Sequence, residues 1–390
     1  MATYARSAPV PLAARREEAL RPDIFLIVPM LVLMGLGVVM VYSASAPRLE
    51  AQGIDPAFEL KRQILFVVLG VIVFLAASMV GPRMLHQLAP IAYVGTLLLL
   101  VAVEFVGAIR NRSQRWLDLG VFQLQPSELA KIAVILGLAA LLAQAVDKLS
   151  WLFVIRAVVL VGIPATMVFL QPDLGTMLVF GFLGLIMLYA AGASWRQIAA
   201  LTLITVFATA ALFQFEVIQN YQLERITAFL DPEADAAAAG YNVLQSRIAI
   251  GAGGMFGTGL FEGTQTNLTF VPEQSTDFIF TAVGEQLGFI GGALVLVLFA
   301  VIVWRLLMTA ALAQEPFQRL VAVGVAAVIV FHVFVNVGMT LQIMPVTGLP
   351  LPFVSHGGTA MIAMAAGLGI THGIYMRRSP LPGQGSPRSD

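Results

Sequence analysis

Ten apolar stretches, each of roughly the 17 to 25 residues needed to cross a bilayer, recur along the chain and leave little room for another architecture. They fall near 24–43, 64–80, 88–107, 128–146, 151–170, 174–192, 197–213, 277–305, 319–343 and 358–376. Backbone polar groups inside a bilayer must be satisfied within their own segment, so isolated runs of this length predict helices. The expected fold class is an all-α polytopic membrane protein, with a long, partly structured outer loop between helices 7 and 8. Only 11% of the 390 residues are charged and 59% are hydrophobic, against roughly 25% charged in a soluble protein. A formal net charge of zero removes the electrostatic case for nucleic-acid binding. The absence of cysteine excludes disulfides, thiolate metal sites and thiol nucleophiles.

The expected organisation is a cytoplasmic tail over 1–23, one membrane domain over 24–376 that includes the outer loop 214–276, and a disordered cytoplasmic tail over 377–390 rich in Pro, Gly and Ser. The small residues from Tyr42 to Ala46 resemble a signal cleavage site. The run from Ile24 to Val41 is longer than a signal peptide's apolar region, however, and Pro47 would follow the cut, so it reads as a retained span. An even number of spans puts both termini on one side. Both are basic, with Arg6, Arg15, Arg16 and Arg21 at the start and Arg377, Arg378 and Arg388 at the end, which predicts the cytoplasmic side. Arg110, Arg112 and Arg115 run against that rule.

By this parity the odd connections emerge together on the outer face. They hold RNRSQRWLDLGVFQLQPSELAK, QPDLG, the stretch from Phe215 to Thr276, and MPVTGLPLPFVSHGG. The even ones, such as Gly81 to Gln87, are short and bland. About 60 residues without structure would be unusual in a compact domain. GYNVLQSRIAIGAGGMFGTGL, within that loop, therefore predicts a surface or re-entrant piece too broken by glycine to span.

Several polar residues stand out. In SELAK, Glu128 and Lys131 share one helical face at the start of the fourth span, either as a pair that eases two charges into the membrane edge or as a lysine held for an anionic ligand. Gly251 to Gly259 lacks the Lys and Ser/Thr of a phosphate loop and reads as close backbone packing. His86, His332, His356 and His372 have no metal-ligand spacing, and His332 reads as a packed, hydrogen-bonded residue. Trp116 beside Arg115 suits either an interfacial belt or a platform under a sugar or lipid head group. In PEQSTDFIFTAVGE, Ser275 or Thr276 is expected to cap the eighth helix, with Asp277 in its first turn. Glu273 and Glu285 flank it, and the seventh connection carries seven acids against Arg225 and Arg247. That concentration exceeds what capping needs and suits general-base catalysis or divalent-cation binding.

Taken together, QRWLDLGVFQLQPSELAK, QPDLGT, RITAFLDPEAD, GYNVLQSRIAIGAGG, GTQTNLTFVPEQSTDFIF and LPLPFVSHGG resemble the SEDS family (shape, elongation, division and sporulation), its elongation branch more than its division branch. The likeness runs in order from about Tyr42 to about Gly369. It departs at Gln274 and Ser275, where a basic residue and His are frequent, and at His356, which replaces a usual Tyr. The resemblance implies a ten-span glycosyltransferase of the bacterial cytoplasmic membrane. Such an enzyme polymerises lipid II into peptidoglycan on the outer face during elongation, beside a class B penicillin-binding protein that crosslinks the strands.

Carried onto this chain, the resemblance makes Asp277 the catalytic aspartate, with Glu128, Lys131 and Trp116 as further site residues. The implied step is inverting attack by a sugar hydroxyl on the anomeric carbon of a polyprenyl-pyrophosphate-linked sugar, with Asp277 as general base. Lys131, Arg115, Arg225 and Arg247, or a divalent cation such as Mg or Mn, would stabilise the departing pyrophosphate. Glu273, Glu285 and Ser355 are expected to line the substrate. A lipid II flippase and a non-catalytic scaffold are the competing readings.

Overall fold

The computed structural model describes residues 22–110, 113–118, 120, 123–145, 149–214, 229, 231 and 239–378. The N-terminal tail through residue 21, the tail beyond Arg378 and Arg225 lie outside the described residues. Among the described residues, ten helices of 17 to 34 residues fall where the ten apolar runs predict them. They are α1 (Ile24–Ala51), α2 (Phe58–Met79), α3 (Pro82–Val106), α4 (Pro126–Leu142), α5 (Trp151–Leu170), α6 (Leu174–Ala190), α7 (Trp195–Gln214), α10 (Ile279–Leu312), α11 (Pro316–Thr340) and α12 (Gly358–Met376). Seven of the ten are long and apolar enough to cross a membrane by length and composition. Two shorter helices, α8 (Ala239–Gly253) and α9 (Thr264–Asn267), lie in the long connection before α10.

Local chemistry sets many of the ends. Pro82, Pro126 and Pro316 open α3, α4 and α11, where proline's missing N–H costs nothing. Asp173 caps α6 by accepting from the Thr176 backbone N–H at 3.1 Å and from its hydroxyl at 3.0 Å. One feature has no signal in the apolar pattern: the third connection folds as a small antiparallel sheet of β1 (Ala108–Arg110), β2 (Ser113–Asp118) and β3 (Gln123–Leu124), in that order.

The most enclosed of the long apolar helices are α11 and α12, each with its most apolar window 72% buried, against 17% for α3 at the periphery. Around α11 pack Ile135 of α4, Phe180 and Leu183 of α6, Ile279 and Val283 of α10, and Leu368 of α12, all essentially inaccessible. Small residues allow the closest approaches: Gly324 of α11 faces Ile135 and Met187, and Gly367 of α12 faces Ile132 and Val325.

α10 is broken at Gly288, whose φ of 66° and ψ of −164° only glycine adopts readily. The break frees backbone groups that lipid could not satisfy, and the segment following α8 supplies partners for them. Thr258 and Gly259 N–H groups donate to the Glu285 and Gln286 carbonyls at 2.9 and 3.2 Å, and the Phe289 N–H donates to the Gly254 carbonyl at 2.9 Å. Gly257 lies so close to the Gln286 carbonyl that a β-carbon there would collide with it. The glycine run therefore serves backbone packing, as its composition predicts. α8 follows the first half of α10, with Ser246 hydrogen-bonded to Thr281 at 2.7 Å and to the Thr340 carbonyl at 3.0 Å.

Candidate active site

The third, fifth, seventh and ninth connections are joined at one end of the bundle. Arg115 of the third donates to the Gln171 carbonyl of the fifth at 2.8 Å and to the Pro172 carbonyl. Thr359, just after the ninth, donates to the Gln123 carbonyl at 3.0 Å and accepts from the Gln125 N–H at 3.1 Å. His356 of the ninth donates its N–H to the Ser275 carbonyl of the seventh at 2.8 Å. Gln63, beyond the first, reaches the Ser355 carbonyl at 3.4 Å. At the opposite end Asp23 pairs with Arg305 at 2.9 Å, and His372 accepts from the Asp23 N–H at 3.2 Å. These opposite-end groups come from the N-terminal flank and from α10 and α12, and from none of the odd connections.

SELAK forms the first turns of α4, and both of its charges are sealed: Glu128 is 2% and Lys131 1% exposed. The Lys131 ammonium stands 2.7 Å from Glu128 Oε2 in an ion contact, and 2.9 Å from His332 Nε2. A lysine only donates, so Nε2 of His332 accepts and its Nδ1 carries the hydrogen that meets the Pro350 carbonyl at 3.0 Å. The chain Glu128, Lys131, His332, Pro350 links α4 through α11 to the ninth connection. Within it the ammonium donates to His332 and pairs with Glu128 by charge.

One turn further along α11, Asn336 donates to the Leu349 carbonyl at 2.8 Å and to the Asp277 carbonyl at 2.7 Å. His332 and Asn336 therefore hold the lysine, the LPLP segment and the aspartate turn in register from a single helix face. The sequence marks His332 as a packed, hydrogen-bonded residue, as it is, but does not indicate its partners or single out Asn336. The spacing of His332 and Asn336, four residues on an otherwise apolar helix, was the available signal, since two buried polar groups on one face must both find partners.

Asp277 is half-buried and lies before α10, not within its first turn. The helix starts at Ile279, after Phe278, and no side chain caps it. The Thr276, Asp277 and Phe278 N–H groups instead converge on the Glu273 carbonyl at 3.2, 3.0 and 3.3 Å. Glu273, at φ 53°, starts this separate turn, so Ser275 and Thr276 are not needed as caps.

The remaining expected residues are more dispersed. Glu285 is completely buried and accepts from the Gln265 N–H at 2.7 Å, the Thr266 N–H at 3.0 Å and the Thr266 hydroxyl at 2.6 Å. It pins the start of α9, so its carboxylate is already engaged. Glu273 is exposed beside the Thr276 hydroxyl, and Arg247 is exposed and bonded to Gln342 at 2.6 Å. Arg115 is committed to the two carbonyls and, at 3.8 Å, to Asp173, while its half-buried neighbour Trp116 sits on β2 opposite Ala108. Ser355 is buried and accepts the Leu351 N–H at 2.9 Å, which tightens its own turn. Among the described residues no three His, Asp or Glu side chains converge as a metal centre.

Known proteins place this arrangement. The Cell cycle protein family of FtsW, RodA and SpoVE matches residues 24–379. The chain is 41% identical to the Escherichia coli K12 peptidoglycan glycosyltransferase MrdB over 322 residues, covering 83% of this chain and 87% of that one. It superposes on a chain of a peptidoglycan synthase complex that coordinates polymerization and crosslinking, with a TM-score of 0.78, 31% identity and 91% and 98% of the two chains covered. The corresponding values for the rod shape determining protein RodA of Thermus thermophilus are 0.68, 30%, 92% and 98%. Matched from the start of α1 to just past the end of α12, with its polar motifs gathered at one end of a helical membrane bundle, the chain belongs to the FtsW, RodA and SpoVE family.

Proposed function

We propose that this protein is a peptidoglycan glycosyltransferase that polymerises lipid II on the outer face of the bacterial cytoplasmic membrane, in the elongation branch of its family. The observation that carries the reading is the single clasp that α11 makes. His332 fixes the sealed Lys131 and Asn336 fixes the Asp277 turn, which brings a cation and a half-buried carboxylate to the same end of the bundle. Catalysis of this transfer needs such a pair, a base for the attacking alcohol and a positive group for the departing pyrophosphate.

The Asp277 carboxylate removes the proton from the acceptor sugar hydroxyl as its oxygen bonds to the anomeric carbon of the donor. The bond from that carbon to the pyrophosphate breaks on the opposite face, and its electron pair leaves with the pyrophosphate. Lys131, held in place by Glu128 and His332, acts through its charge on the pyrophosphate rather than by contact, since its side chain is sealed. Arg115 acts at one remove by tying β2 to the turn that starts α6.

The cytoplasmic placement of both termini follows from the basic ends and the even number of spans. A penicillin-binding protein is the proposed partner, by analogy with the synthase complex that the fold matches. Purified protein incubated with lipid II in detergent tests the reading. Glycan ladders on a gel are the expected result. A flippase would make none, because detergent leaves no two compartments to move substrate between, and neither would a scaffold.

A further inference from the structure

Close to the proposed catalytic turn, where the start of α2 meets the ninth connection, three polar atoms are buried without a hydrogen-bond partner among the described residues: Glu59 Oε2, Gln63 Oε1 and His356 Nδ1. Glu59 and Gln63 are four residues apart and share one face of α2. The His356 ring packs on that face, 6.4 Å from the ring of Phe66 in an edge contact, and the charge of Glu59 acts on it. Gln63 is completely buried, and its amide N–H₂ points to the Ser355 carbonyl, which leaves the amide oxygen to face elsewhere. Three buried polar atoms left bare at one place are costly, so a ligand that meets them gains what the fold has forgone.

The surroundings decide which ligand. Arg48 is bound to the other oxygen of Glu59 at 2.7 Å, and Arg62 is a further cation acting on His356. These charges disfavour an ammonium group or a divalent ion. An anion fails for the opposite reason, since two bare acceptor oxygens would face it and it has no hydrogen to donate. Burial holds the His356 imidazole below its usual range, with Glu59 opposing the shift and Arg62 and Arg48 adding to it. A neutral imidazole nitrogen can donate or accept. The match is a neutral group whose hydroxyls both donate and accept.

We propose that Glu59, Gln63 and His356 form a subsite for a sugar ring of the glycan substrate. Its position supports this, because the His356 backbone N–H is bonded to the Ser275 carbonyl two residues before Asp277, so the subsite and the proposed base belong to one connected turn. The inference rests on the glycosyltransferase reading and names part of the substrate surface.

Gln63→Met in the full-length protein keeps the bulk of the side chain and removes its acceptor, together with the long 3.4 Å bond from its amide N–H₂ to the Ser355 carbonyl. The KM for lipid II is expected to rise about 3- to 10-fold, the scale of one lost neutral hydrogen bond, with kcat and thermal stability little changed. His356→Phe keeps the edge contact with Phe66 and should raise KM similarly, which provides a second readout if Gln63→Met folds poorly. Wild-type rates at both variants, with wild-type protein active, would overturn the subsite and leave the glycosyltransferase reading intact. A defect that added magnesium repairs at unchanged KM would mean a cation site, and would also overturn it. Wild-type protein that makes no glycan would remove the underlying reading, and the subsite with it.

Discussion

Asp277 and Lys131 sit in opposite environments, and their substitutions should fail in different ways. Lys131 is locked in a dry site, so Lys131→Met leaves Glu128 buried without its counter-charge, a loss on the order of 3–5 kcal/mol for a broken buried pair. Both activity and thermal stability should fall. Replacing both partners, as Glu128→Gln with Lys131→Met, removes the unpaired charge and should recover much of the stability while leaving polymerisation lost. A double variant that polymerises normally would make the pair purely structural. His332→Phe should act on both partners of the imidazole, because it strips an acceptor from the lysine and a donor from the Pro350 carbonyl. Unfolding temperature and initial rate, measured on the same preparations, separate these cases.

Among the elements, the broken α10 depends most on a single residue. Nine helical residues precede Gly288, which places the break about 13 Å along the helix. Gly288→Ala should cost about 1–3 kcal/mol through backbone strain, read as a lowered melting temperature in detergent. An unchanged melting temperature would mean that the helix straightens without penalty. The ten helices were legible in the sequence because bilayer thickness fixes apolar length, and the glycine run was legible because it lacks phosphate-loop chemistry. The start of α10 was not. The hydroxyls and acid of QSTD look like a capped first turn, but three N–H groups converge on the Glu273 carbonyl and delay the helix to Ile279. The engagement of Glu285 was hidden for a related reason: its partners, Gln265 and Thr266, lie some twenty residues upstream in a helix of only four residues. The small sheet around Trp116 was hidden because two- to six-residue strands carry too few positions to show alternation.

At the scale of the whole molecule, parity carried the most information, since counting spans assigned SELAK, QPDLG, TDFIF and LPLPFVSHGG to one end before any contact was known. What counting could not supply was the clasp from His332 and Asn336, because a polar residue in an apolar run does not announce its partner. The orientation of this end is testable with reporters. A fusion after Asp231 should be active outside the cytoplasmic membrane and one after Ala145 inside it, and finding both on one side would contradict the arrangement. The central claim is that this end of the bundle polymerises glycan with Asp277 as its base, and the most direct measurement compares purified wild type with Asp277→Asn on lipid II. That change keeps the shape of the side chain and removes its basicity, so melting temperature and partner binding should be retained. Glycan synthesis should fall by about two orders of magnitude or more, the scale for losing a positioned general base. A folded Asp277→Asn protein that polymerises at nearly the wild-type rate would contradict the account.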